Sequence, residues 1–127
     1  MKIVLQSLAI GAAGFLGAIA RFLIGRGVTQ IFPTRFPLAT LIINISGSFI
    51  LGWFVSYTAQ RYGVSETMRL AIGAGFVGAY TTFSTYMYES NALMEDGLWN
   101  QAMINLIGSL VLGLLAVRLG IMLGRRA

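Results

Sequence analysis

Four long apolar segments alternate with short polar stretches along this chain. They run over about Ile3–Ile24, Leu38–Ala59, Met68–Tyr88 and Gln101–Leu123, the second starting just after Pro33 and Pro37. A helix needs about 20 mostly apolar residues to cross the hydrocarbon core of a bilayer. Each segment meets that length, so the pattern predicts an all-α membrane protein of four transmembrane helices. The connections are short, which makes consecutive helices antiparallel neighbours. The first segment has the Lys2 and apolar run of a signal peptide, but it is long for one, contains Gly11, Gly14 and Gly17, and ends at Arg21. A retained helix is expected.

The pattern repeats internally. Residues 8–18 read LAIGAAGFLGA and residues 70–79 read LAIGAGFVGA, the same string less one residue. Asn44-x-x-Gly47-Ser48-x-x-Leu51-Gly52 recurs as Asn105-x-x-Gly108-Ser109-x-x-Leu112-Gly113. The offset is 62 residues at Leu8/Leu70 and 61 afterwards. Two matches at nearly one offset point to a duplicated helical hairpin, about 1–63 and 64–127, within a single transmembrane domain. Asn44, Ser48 and Gly52 share one helix face, as do Asn105, Ser109 and Gly113, and as do Ala9, Ala13 and Gly17. Small residues at this spacing let helices approach closely in lipid.

One stretch breaks the apolar pattern. Tyr80, Thr81, Thr82, Ser84, Thr85 and Tyr86 crowd into the third segment, after Gly73, Gly75 and Gly78. A lone hydroxyl in a membrane helix bonds back to its own backbone. Six together, after three glycines, predict a local break, which lipid tolerates only where protein or water satisfies the freed backbone groups. Broken helices near the midplane present carbonyls and helix ends to ions. Phe83 and Tyr86 share a face inside this run. Aromatic rings are positive at their edges, so they can meet an anion without carrying a charge.

Composition narrows the chemistry. Hydrophobic residues make up 57% of the 127 and charged residues 10%, with a mean hydropathy of +0.79. Soluble domains carry about 25% charged residues. Cys and His are absent, which excludes disulfides, thiolate nucleophiles and the usual zinc sites. The only acids are Glu66, Glu89, Glu95 and Asp96. Enzymatic acid–base chemistry is therefore not expected. The net charge of +5 comes from nine Lys and Arg that mostly flank apolar segments. Such residues anchor helices at headgroups, and no basic run has the interleaved aromatics of a nucleic-acid site. With both termini on one side, Lys2, Arg61, Arg69, Arg118, Arg125 and Arg126 face Arg21, Arg26 and Arg35 on the other. That bias favours cytoplasmic termini.

Individual polar residues allow two readings each. Asn44 and Asn105 serve as interhelical glue, or donate an amide hydrogen to a passing anion. Arg21 snorkels to the interface, or supplies a fixed positive charge in an aqueous vestibule.

Taken together these residues resemble the fluoride channel family called Fluc or CrcB. The resemblance lies in Gly14-x-x-Gly17-Ala-x-x-Arg21-Phe, Thr40-Leu-x-x-Asn44-x-x-Gly47-Ser48, Gly78-x-x-Thr81-Thr82-Phe83-Ser84-Thr85, and Asn105-x-x-Gly108-Ser109. These motifs span nearly the whole chain in the family's order. The resemblance implies an antiparallel, dual-topology homodimer in the cell inner membrane, with two pores that carry fluoride down its gradient. It implies that Asn44 is a pore donor and that Phe83 and Tyr86 are the aromatic box. Ser109, Thr40 and Glu89 would belong to a polar track, with Arg21 near a vestibule; the hydroxyls of Ser84 and Thr85, read from the polar run itself, are expected in the same fluoride pore. It also implies a structural sodium ion at the dimer centre, held by the backbone carbonyls of Gly78 and Thr81. Two departures stand out. The family's second aromatic is commonly Phe, where this chain has Tyr86, and the Asn105 position is often aromatic. Two alternatives have different signatures. A small multidrug-type proton-coupled transporter needs an acid in the first helix, and there is none. A non-transporting structural subunit explains the glycines but not the polar break.

Overall fold

The computed structural model describes residues 1–127, and all of the regular structure is helical. Helix α1 spans Lys2–Ile31 and α2 spans Leu38–Ala59. Helix α3 covers residues 66–80: it starts as an α-helix over Glu66–Leu70, widens to a π-helix over Ala71–Val77, and narrows again over Gly78–Tyr80. Helix α4 is Phe83–Glu95 and α5 is Trp99–Arg126. Three of them, α1, α2 and α5, are individually long and apolar enough to cross a membrane.

The bounds of α2 match those expected from the sequence. The others differ for one reason: hydropathy marks where lipid stops, not where a helix stops. Helix α1 was expected to end near Ile24 but continues through Arg26, Thr29 and Gln30 to Ile31. Nothing in that stretch breaks a helix until Pro33, and Thr29 Oγ1 bonds back to the Gly25 carbonyl at 2.9 Å. Likewise α5 extends past Gln101–Leu123 at both ends. The third apolar segment holds two helices, α3 and α4, with Thr81 and Thr82 between them. Gly97 then turns the chain from α4 into α5 with a φ of +75°, a left-handed conformation that glycine adopts without strain.

The helices pack chiefly in two pairs, α1 with α3 and α2 with α5. Small residues set both contacts. The Gly17 Cα sits against the Phe76 carbonyl and Gly75 against that of Ile10. Gly120 and Gly124 of α5 rest on the α2 backbone at Phe49 and Trp53, and Gly52 of α2 on the Val117 carbonyl. Backbones this close gain dispersion contacts that lipid cannot supply, which is how helices associate in a bilayer. The π-helix lies where α1 presses on α3.

Polar clamps fix the ends. Ser65 caps α3, its hydroxyl accepting from the Met68 N–H at 3.1 Å. Arg69 Nη2 donates to the Thr58 carbonyl at 2.7 Å and so closes the C-terminus of α2. Lys2 Nζ lies 2.7 Å from Glu66 Oε2. That lysine holds the Glu66 carboxyl below its ordinary value, first through the hydrogen bond and then through its charge. A depressed carboxylate stabilises the fold above the unfolded value, and the contribution disappears as pH falls through the lowered one. Both side chains are exposed, so water and salt screen the pair. Glu66→Gln is therefore expected to leave the thermal midpoint in detergent unchanged at physiological salt, with a small decrease only at low ionic strength and neutral pH.

Candidate functional site

The chain between α3 and α4 is extended: Thr81 has φ −81°, ψ 159° and Thr82 has φ −149°, ψ 116°. Two residues outside the helical region remove the i→i−4 bonds that would cross this point. Substitutes come from side chains. The Thr82 N–H donates to Asn44 Oδ1 at 2.8 Å, and Asn44 Nδ2 donates back to the Thr82 carbonyl at 2.9 Å. One primary amide thus satisfies both backbone groups of Thr82, as a neighbouring β-strand would. Thr82 also caps α4: its Oγ1 accepts from the Thr85 N–H at 3.2 Å and donates to Thr85 Oγ1 at 3.0 Å. Gly47, one turn beyond Asn44, makes room, because a Cβ there would run into the Thr81 methyl and the Tyr80 ring.

The break separates two cavities, and Thr82 lines both. The first, about 450 Å³, gathers Arg21, Arg26, Thr40, Thr85 and Glu89. The second, about 470 Å³, gathers Asn44, Ser48, Phe83, Tyr86 and Ser109. Most of the residues singled out from the sequence therefore converge on one of the two. Ser84 lines neither; its hydroxyl lies 3.5 Å from Thr82 Oγ1.

Arg21 does not simply reach for the interface. Its Nη1 points at the Thr81 carbonyl, 3.4 Å away. Glu89 has Oε2 buried without a hydrogen-bond partner. Thr40 is buried. Several hydroxyl protons are committed to backbone: Thr81 Oγ1 to Val77 and Ser48 Oγ to Asn44. Thr85 Oγ1 accepts from Thr82, which leaves its own proton available.

Phe83 and Tyr86 differ sharply despite sharing a face. Their ring centroids are 5.9 Å apart with planes tilted by 60°. Phe83 is 72% exposed and Tyr86 4%. The Tyr86 hydroxyl donates to the Leu106 carbonyl at 2.6 Å, so it tethers α4 to α5. Two further links escaped the sequence reading. Tyr80 OH lies 2.8 Å from Ser46 Oγ, joining α3 to α2. Ser90 Oγ accepts from Asn105 Nδ2 at 2.9 Å, joining α4 to α5. Only the i, i+4 relation of Tyr86 and Ser90 hinted that Ser90 lies on the same face.

The carbonyls of Gly78 and Thr81 lose the backbone donors that a continuous helix would give them, and that of Thr81 is met instead by Arg21 Nη1. The N–H groups of Thr82 and Thr85 turn to Asn44 and to the Thr82 hydroxyl instead. Hard, uncharged oxygens of this kind fit a small monovalent cation.

The family model "CrcB-like protein, Camphor Resistance (CrcB)" matches residues 8–121. Three similar proteins are each described as the fluoride-specific ion channel FluC. One from Koribacter versatilis is 44% identical over 108 residues, covering 85% of this chain and 86% of its own. One from Prosthecochloris aestuarii is 42% identical over 118 residues, covering 93% and 91%. One from Methylococcus capsulatus is 43% identical over 122 residues, covering 96% of this chain but only 54% of its own, so that relative is nearly twice as long.

Proposed function

The chain belongs to the CrcB-like family, and from that premise we propose that it is a fluoride-selective channel that lets the ion leave the cell passively. It is a multi-pass membrane protein and not an enzyme. The observation that carries the reading is the break at Thr81–Thr82, pinned to α2 by a neutral amide between two polar cavities.

Fluoride is small and strongly hydrated. A selective pore must replace its water with donors yet hold it loosely enough to release it. Asn44 still has one Nδ2 hydrogen after binding Thr82, and Thr85 keeps its hydroxyl proton. With Thr40, Ser109 and the ring edges of Phe83 and Tyr86, these groups offer partial positive charge without a full one. Ser84 lines neither cavity and stands apart from this set of donors. Arg21 and Arg26 draw anions into the first cavity, and Glu89 repels them from dwelling there. No acid in α1 offers a proton-coupling site, so the multidrug-type alternative lacks its central group. A purely structural subunit leaves the cavities without a role.

In this reading α3 and α4 together form the third crossing, a single span broken at its middle. The second cavity opens on the face that carries the exposed Phe83 ring. An antiparallel second copy would cover that face and complete two equivalent paths. The Gly78 and Thr81 carbonyls from both copies would hold a structural sodium ion, since two oxygens from one chain are too few. Labelling a terminal tag from each side of intact membranes should then succeed from both. Labelling from one side alone would contradict the antiparallel dimer.

Function is tested in a bacterium stripped of its own fluoride export. Expression of this chain should restore growth on fluoride, and unchanged sensitivity despite membrane insertion would count against the channel. Tyr86→Phe separates the ring from its tether. Losing the bond to Leu106 costs about 1 kcal/mol, so the thermal midpoint should fall. The ring edge remains, and fluoride flux through liposomes should stay within about threefold of the parent.

A further inference from the structure

Asn105 is 1% exposed, in the second turn of α5. Its Nδ2 donates to Ser90 Oγ at 2.9 Å, and its Oδ1 accepts from Ser109 Oγ at 3.3 Å. The amide orientation follows from its surroundings. Ser90 has already given its only proton to the Tyr86 carbonyl at 2.7 Å, so it can only accept from Asn105. The NH2 group therefore faces Ser90, and the oxygen faces Ser109.

Holding α4 to α5 explains the first of these bonds. It does not explain the second, which stays within α5 and joins no helices. Three other helical serines behave differently. Ser48, Ser56 and Ser90 each donate to the carbonyl four residues back, all at 2.7 Å. Ser48 is the repeat counterpart of Ser109, and it bonds to the carbonyl of Asn44, the counterpart of Asn105. Ser109 alone turns from the carbonyl of residue 105 to the side chain of residue 105. The bond it makes there is longer, hence weaker.

We propose that Asn105 is a positioning residue: it keeps the Ser109 hydroxyl off the α5 backbone, loosely held beside the second cavity, so that its proton can transfer its hydrogen bond to a passing fluoride. The inference rests on the proposed path through that cavity, which Ser109 lines. Asn105 itself never touches the ion. Without it, Ser109 falls back onto the carbonyl of residue 105, as Ser48 does on that of Asn44, and its proton is lost to the path.

The test is a double-mutant cycle on fluoride flux through liposomes, with the thermal midpoint of each purified protein measured in parallel. Ser109→Ala should lower flux about fivefold, the scale of one hydrogen bond. Asn105→Ala should lower it nearly as much, and the double variant no further than Ser109→Ala alone. The midpoint should behave otherwise: Asn105→Ala lowers it in both backgrounds, because Ser90 loses its donor in each. Should Asn105→Ala fail to assemble, Ser90→Ala removes only the far anchor of the amide. It should reduce flux in the parent and leave the Ser109→Ala protein unaffected. An Asn105→Ala or Ser90→Ala loss that persists undiminished with Ser109→Ala overturns the proposal and leaves the path intact. Undiminished flux through Ser109→Ala itself removes Ser109 from the path, and the proposal with it.

Discussion

Asn44→Asp is expected to abolish fluoride flux, by more than about a hundredfold, while the protein still reaches the membrane. The substitution is isosteric, so its effect comes from hydrogens and charge. Asn44 Oδ1 would still accept from the Thr82 N–H, but nothing would donate to the Thr82 carbonyl, which now receives Nδ2 at 2.9 Å. Two acceptors would face each other in a site of low dielectric. The carboxylate would also place a full negative charge where Thr82 divides the two cavities. Either the break shifts to relieve the clash or the charge stays and repels the anion. Both outcomes stop conduction. Flux from liposomes, normalised to folded protein recovered by gel filtration, measures the loss; flux within severalfold of the parent would remove Asn44 from its double role.

Two glycines in α1 give the second large effect and its own control. Gly17 is buried with its Cα against the Phe76 carbonyl, whereas a Cβ on Gly11 would meet nothing within 4 Å. Gly17→Val must push α1 off α3, because backbone oxygen cannot rotate away as a side chain can. Overpacking of this kind costs roughly 3 kcal/mol or more. Little folded protein should be recovered in detergent. Gly11→Val, six residues earlier on the same helix, should purify and conduct like the parent. Equal recovery of the two variants would contradict the close α1–α3 contact.

The contrast shows what sequence reasoning reaches. Both glycines belong to the repeated string, and spacing alone does not separate them; only the partner helix does. The bounds of α2 were legible because prolines precede it and its apolar run ends where the helix ends. The α1 end was not, because Arg26 and Gln30 leave the lipid without leaving the helix. The crowded hydroxyls from Tyr80 to Tyr86 marked the place where the helical pattern fails. They did not say how the freed groups are satisfied. Asn44 was read as glue or as an ion donor, and the structure gives it a third task, closing both backbone bonds of Thr82. Spacing reveals that a polar side chain sits in lipid, but its hydrogens can go to protein or to a ligand, and three-dimensional placement decides. The π-helix over Ala71–Val77 left no sequence signal beyond its glycines. It packs against α1, some sixty residues away, a contact that spacing within the segment does not reveal.

The most direct measurement uses the purified chain alone, in liposomes loaded with potassium fluoride and diluted into fluoride-free buffer. A fluoride electrode follows release after a potassium ionophore frees the counter-ion. Rapid fluoride efflux should start with the ionophore, need no proton gradient, and have no chloride equivalent in matched vesicles. No efflux beyond protein-free vesicles, or equal release of chloride, would contradict a fluoride-selective channel.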